Sequence, residues 1–234
     1  MKFKSAILAI MLALSTLHAQ GSWSFESWIN SLKKPDFEKI TNSAERKTAF
    51  FDYLLPMVKA ENNKIRLARS LIKTNQFNPL QIQKLAKKYR LKSVNKRSLL
   101  NAVDTIPVSL VLAQAAVESN WGRSRFSTRN NNYFGIWCFK PGCGVVPKAR
   151  IKGAKHEVMN FYSSNKSIEY YLLNLNRHHA YKLLRQIRAY KREHDLKLTG
   201  NSLSEGLDKY SAIGYEYIEL IQSIIRQNKL SRFD

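Results

Sequence analysis

Glu118 is the titratable residue of this chain whose surroundings most invite acid–base chemistry. It lies seven residues after Val111, four after Gln114 and three before Trp121, on the edge of an apolar helical face rather than on a solvated one. Burial there disfavours the charged carboxylate, and so does the negative end of the helix dipole near Gly122, so both raise the pKa. A carboxyl still protonated near neutral pH can give its proton to a departing sugar oxygen, the step on which glycoside cleavage depends. The alternative is an ordinary helix-end glutamate paired with Arg123 or Arg125, which lowers the pKa instead.

The neighbours of Glu118 favour the first reading. Trp121, Tyr133, Phe134, Trp137 and Phe139 crowd into one helix end and one loop, interleaved with Asn120, Asn130, Asn131 and Asn132. Aromatic faces and amides suit pyranose rings, which present C–H patches and hydroxyl edges. From Ser119 to His156 there is no acid, while Arg123, Arg125, Arg129, Lys140, Lys148, Arg150, Lys152 and Lys155 are basic, the make-up of a groove for an acidic polymer. Cys138 and Cys143, the only cysteines, either close the loop between them in an oxidising exported setting or stand as two free thiols; with no further Cys or nearby His, no metal site is expected. His178 and His179 are adjacent on an expected helix and read as a solvated pair, and no motif calls for a cofactor.

Helices must position these residues. From Ser43 the pattern is helical through Ile72, with Pro56 a kink or boundary, and a second helix opens at Asn78-Pro79 and runs to about Arg90. The stretch Ile106 to Phe126 reads as the strongest helix, with Pro107 in its first turn and Gly122 as its stop. Between Asn130 and Phe161 glycine, proline, asparagine and β-branched residues predict a loop or small hairpin lobe. Helical spacing resumes at Ser167, and Tyr217 to Ile225 predicts a buried terminal helix. The division expected is a leader over 1–19, a helical extension over 20–100 and a site-bearing domain over 101–234.

Lys2 and Lys4, the nine apolar residues Ala6 to Leu14 and the small residue at the end of Leu17-His18-Ala19 read as an export signal, too short for the roughly 20 residues of a membrane span. The formal net charge is +22 over 234 residues; loss of Lys2 and Lys4 with the leader makes it +20. Such an excess draws a protein to polyanions, and export points to the envelope, leaning toward the periplasm, and to acidic wall polymer rather than nucleic acid. Nucleic-acid binding is the competing reading from charge alone, and it requires a cytoplasmic protein.

The run Ser109-Leu110-Val111-Leu112-Ala113-Gln114-Ala115-Ala116-Val117-Glu118-Ser119-Asn120-Trp121-Gly122, followed by Asn132-Tyr133-Phe134-Gly135-Ile136-Trp137, resembles the signature of the bacterial glucosaminidase domains of glycoside hydrolase family 73, over roughly Asn101 to Leu230. The resemblance implies a mainly α, lysozyme-like fold with a small β-rich lobe, here carrying an N-terminal helical extension, and cleavage of the N-acetylglucosaminyl linkage of peptidoglycan without a cofactor. The family's acid falls on Glu118. Its aromatic motif falls on Asn132, Phe134 and Gly135 at the cleft floor, and its tyrosine motif on Tyr210, expected as a catalytic residue, and on Tyr217, expected to bind the sugar. Gln114, Trp121, Tyr133 and Trp137 complete the expected sugar-binding set. Many members carry a second glutamate in the β lobe; the only acid between Glu118 and Glu169 is Glu157, nearer to Phe161-Tyr162-Ser163-Ser164 than the family pattern places it. Glu157 is therefore either base or nucleophile, or a structural partner of a nearby lysine. In the latter case the substrate's acetamido group or 6-hydroxyl completes the reaction, the latter in a lytic-transglycosylase manner. A wall-binding scaffold that keeps the cleft without catalysis is the non-enzymatic alternative.

Overall fold

Helix α1 (Ser43–Lys73) opens the described architecture, capped by the Asn42 side chain, which accepts from the amides of Ala44 and Glu45. The computed structural model describes residues 33–148, 150–151, 153–211 and 214–234, so the expected export signal lies outside the described residues. The chain divides into Met1–Lys34 and Pro35–Asp234, and the features below belong to the second unit. Pro56 sits inside α1 without ending it. Helix α2 (Pro79–Tyr89) begins with a reciprocal capping box between Asn78 and Gln81 and ends at Arg90, which takes a left-handed conformation with φ 54°. Helix α3 (Lys96–Ala102) follows with its own box between Asn95 and Ser98.

The central helix is α4 (Val108–Glu118), in which every residue from Val108 to Ala116 is buried. A helix apolar on all sides belongs in the middle of a helical assembly, and α1, α8 (Gly200–Ser204) and α9 (Tyr215–Gln227) all pack on it. Its N-cap is Pro107, which offers no side-chain acceptor. Asp234 supplies one from a distance, accepting from the Ser109 amide at 2.9 Å, the Ser109 hydroxyl at 2.7 Å and the Gly200 amide at 3.0 Å. One carboxylate thus meets the positive ends of both α4 and α8.

The helix read within Ile106 to Phe126, with Gly122 as its expected stop, ends at Glu118. Asn120, Trp121 and Gly122 have φ of 50°, 57° and 81°, and the Trp121 amide folds back on the Ala116 carbonyl at 2.8 Å. Gly122 has to be glycine at this turn, because a Cβ there would stand 2.3 Å from the Phe37 ring. The chain restarts as α5 (Arg125–Asn130), capped by Ser124.

Three short strands form the β lobe: β1 (Trp137–Cys138), β2 (Gly144–Val145) and β3 (Glu157–Met159), antiparallel in the order β1-β3-β2. Trp137 pairs with Val158, Cys138 with Glu157 and Gly144 with Met159. Helix α6 (Ser164–Arg177), three residues ahead of the expected start, packs on α1 and α2, and α7 (Lys182–Glu193) packs on α3, α6 and α8. The protein is mainly helical with one small sheet, and no described helix is long and apolar enough to cross a membrane.

Behind α4 lies a buried ionic hub. Asp104, 2% exposed, faces Arg192 at 3.1 Å, Arg69 at 3.4 Å and Arg188 at 3.7 Å, which ties α1, the segment before α4 and α7 together. Burial pushes the Asp104 pKa up, but the charges of Arg188 and Arg69 and the hydrogen bond from Arg192 outweigh it and hold it below the ordinary value.

Candidate active site

Glu118 ends α4 at the base of a cleft of about 890 Å³ whose walls are the β lobe and α6. Its Oε1 accepts a 2.7 Å hydrogen bond from the Tyr217 hydroxyl. That hydroxyl in turn accepts from the Gln114 amide nitrogen at 3.1 Å, and the Gln114 carbonyl accepts from the Tyr171 hydroxyl. Four side chains from α4, α9 and α6 therefore form one polar chain that fixes the carboxyl in a largely apolar setting. Burial raises the Glu118 pKa, and the Tyr217 hydrogen bond opposes that rise only in part. Neither Arg123 nor Arg125 pairs with it: Arg123 bonds to Asn120, and Arg125 lies over the Phe126 ring.

Gly135 lies beside the second carboxyl oxygen. A Cβ at this position would stand 3.5 Å from Glu118 Oε2, an ordinary contact, and it is the φ of +61° that favours glycine here. Asn132 builds this turn: its carboxamide nitrogen donates to the carbonyls of Ile136 and Met159, both at 2.9 Å, while its oxygen accepts from the Ile136 amide at 3.0 Å. Phe134 stacks on Tyr171 with ring centroids 3.8 Å apart, and its carbonyl accepts from the Tyr210 hydroxyl at 3.1 Å. Tyr210 stacks on Tyr217 at 5.2 Å and lines the cleft.

The remaining expected site residues divide between cleft and core. Trp137, 54% exposed, stacks on His156 and presents a face to the cleft, where Phe139 and Lys140 join it. Trp121 instead turns to α1, with Phe50, Phe51 and Lys47 around its ring. Tyr133 is fully buried against Phe50. Gln114 and Asn132, at 0% and 1% exposure, are too buried to meet a sugar directly and act by holding others in place.

Glu157 is absent from the cleft lining. Cys138 and Cys143 form a disulfide with S–S 1.98 Å, and Glu157 grips the loop they close by accepting from the amides of Gly142 at 3.0 Å and Gly144 at 2.8 Å. These two backbone hydrogen bonds lower its pKa. Both oxygens are engaged as structural acceptors, with backbone amides as partners where a lysine was expected. Cys138, Cys143 and Glu157 also bring metal-ligand atom types within 4.8 Å of one another, but thiolates bind metal and a disulfide has none.

Several cleft residues were not singled out from sequence. Tyr170, Tyr171, Asn174, Arg177 and His178 occupy one face of α6 and its end, and Arg90, Tyr181 and the backbone of Ile136 complete the surroundings. The i, i+4, i+7 spacing of Tyr170, Asn174 and Arg177 was the available signal. His178 is not part of a solvated helical pair; it caps the end of α6 in an extended conformation and lines the cleft.

A half-buried carboxyl with a raised pKa, held by tyrosine in a cleft of aromatic faces and cations, has the parts of a glycoside-cleaving enzyme. Residues 96–230 match the glucosaminidase family, described as mannosyl-glycoprotein endo-beta-N-acetylglucosaminidase, and the chain belongs to that family. Over 208 residues it is 33% identical to protein bax of Escherichia coli strain K12, covering 83% of this chain and 74% of that one. Among solved structures, the catalytic domain of the autolysin Auto from Listeria monocytogenes aligns with a TM-score of 0.47 and 18% identity, over 84% of this chain and 92% of that one.

Proposed function

We propose that this protein is an exported enzyme that cleaves the N-acetylglucosaminyl linkage of peptidoglycan glycan strands, with Glu118 as the proton donor. The observation that carries the proposal is the Glu118 carboxyl itself, the only acid lining the cleft among the described residues, kept toward its protonated form by burial and oriented by Tyr217. Family membership supports the sugar, and the charge of +22 supports an acidic polymer.

In this reading a glycan strand lies between the β lobe and α6. Glu118 donates its proton to the glycosidic oxygen as the C1–O bond breaks, and positive charge develops on the sugar ring. Aromatic faces from Trp137 and Phe139 hold neighbouring rings, and Tyr210 keeps the Phe134-Gly135 turn against the carboxyl. With Glu157 held in the disulfide loop, the cleft lining presents no second carboxylate among the described residues. That favours completion by the substrate: its acetamido oxygen attacks C1 and water then opens the ring so formed, which returns a reducing end. Attack by the 6-hydroxyl is the second reading and leaves an anhydro sugar.

A peptidoglycan zymogram of the refolded protein tests the role of Glu118. Glu118→Gln preserves size and can still accept from Tyr217, and it is expected to lower clearing by about 10³-fold or more. Clearing at the wild-type level would remove Glu118 from the mechanism, and a wild type that binds sacculi without clearing them would support the scaffold reading.

A further inference from the structure

Three cations line the same cleft as Glu118: Arg90 at the end of α2, Arg177 at the end of α6, and Lys140 in the disulfide loop of the β lobe. His178 stands beside the two arginines. None of the three has a carboxylate partner among the ion pairs of the described residues, although exposed lysines elsewhere do, as in Lys166–Glu169 and Lys39–Asp36. Arg177 spends one guanidinium nitrogen on the Lys88 carbonyl at 3.4 Å, which fastens α6 to α2, and its Nε is buried with no partner. Arg185 satisfies the carbonyls of Leu175 and His178 from behind, so this end of the cleft is built by three elements rather than by a frayed surface. Burial lowers the His178 pKa first, with the positive charges of Arg90, Arg185 and Arg177 among the further causes, which shows how little negative charge the local structure supplies.

From this arrangement we infer that Arg90, Arg177 and Lys140 form a carboxylate-binding subsite, which takes the acidic substituents carried by the wall glycan while its sugar backbone passes Glu118. The inference rests on the proposed glycan-cleaving function and adds a selection rule: strands bearing carboxylates are preferred over the same strands made neutral. Cations that lack an internal counter-ion attract an anion, Arg177 is already held by the Lys88 carbonyl, and arginine matches a carboxylate through paired N–H donors. Arg90 lies outside residues 96–230 that match the family, so the helical extension before the family domain contributes directly to the cleft. On this account the extension has a binding role in addition to its packing against α6.

The test uses soluble peptide-bearing glycan strands and a portion of the same strands whose carboxyl groups have been converted to amides. For the wild type, KM is expected to be about tenfold higher on the amidated strands. Arg90→Asn suits the left-handed backbone at this position and removes the charge; it is expected to raise KM on native strands toward the amidated value and to abolish most of the discrimination. Lys140→Ala should act in the same direction, and Arg90→Lys should restore part of the preference. Equal KM on both preparations for the wild type, or an Arg90→Asn effect that is the same on both, overturns the subsite. The same comparison read as Kd on the Glu118→Gln protein needs no turnover. Absence of turnover in the wild type therefore counts against the glycan-cleaving reading, and equal Kd for the two preparations counts against the subsite.

Discussion

At the scale of single residues, the balance at Glu118 is between burial, which keeps the proton on, and Tyr217, whose hydrogen bond favours the carboxylate. Tyr217→Phe removes the second influence, together with the acceptor that the Gln114 amide uses. In the proposed mechanism catalysis needs the protonated form, so the alkaline limb of the kcat/KM profile follows the Glu118 pKa and should move to higher pH in this variant. A limb that stays in place or moves to lower pH would show that Tyr217 does not set this equilibrium. Glu157 gives the opposite case, with a pKa lowered by amides of the loop it holds. Glu157→Gln keeps one acceptor oxygen and is expected to lower kcat less than tenfold, whereas loss of a base or nucleophile would cost about 10³-fold; steady-state rates on soluble strands separate the two. Glu118 was legible in the sequence because residue type, helical edge and aromatic neighbours all lie within a short span. The polar chain behind it was not, since Gln114 and Tyr217 are 103 residues apart and Gln114 and Tyr171 are 57 apart. Sequence spacing marked Gln114 for sugar contact, and tertiary packing turned it into a buried support.

At the scale of elements, α4 was evident as an all-apolar helix, but its end was not. The stop was expected at Gly122, while the structure breaks at Ser119 so that three consecutive residues with positive φ can swing Trp121 onto α1. That rotation removes one expected sugar-stacking face and gives the extension an aromatic anchor. The capping residues Asn78 and Asn95 could be read locally because a cap needs only three or four neighbours. The anchor of α4 could not, since Asp104 gathers Arg69, Arg188 and Arg192 from two other helices. Replacing Asp104 by Ala strands the buried Arg188 and largely buried Arg69 guanidinium groups and should cost about 3–5 kcal/mol, read as a lower urea midpoint. The sign with pH follows from its depressed pKa: the stabilisation is present above the unfolded value near 3.8 and is lost as pH falls through the lower folded pKa. A near-normal midpoint for Asp104→Ala would mean that the arginines find other partners.

At the scale of the whole molecule, helices supply the frame and the small sheet supplies one wall of the cleft. The β lobe is short in strands, and its shape depends on the Cys138–Cys143 link and on Glu157, which together hold Phe139 and Lys140 at the cleft. The charge excess was visible from composition and Lys140 was read as part of a basic groove, but Arg90 and Arg177, which converge on it from separate parts of the chain, were not. The reaction as a whole is read most directly in the sugar ends that it leaves. Mass analysis of borohydride-reduced fragments from purified sacculi, treated with wild type and with Glu118→Gln, should show fragments ending in reduced N-acetylglucosamine for the wild type alone. Reduced muramic acid ends, anhydro ends, or the same fragments from Glu118→Gln would contradict hydrolysis at the N-acetylglucosaminyl linkage through Glu118.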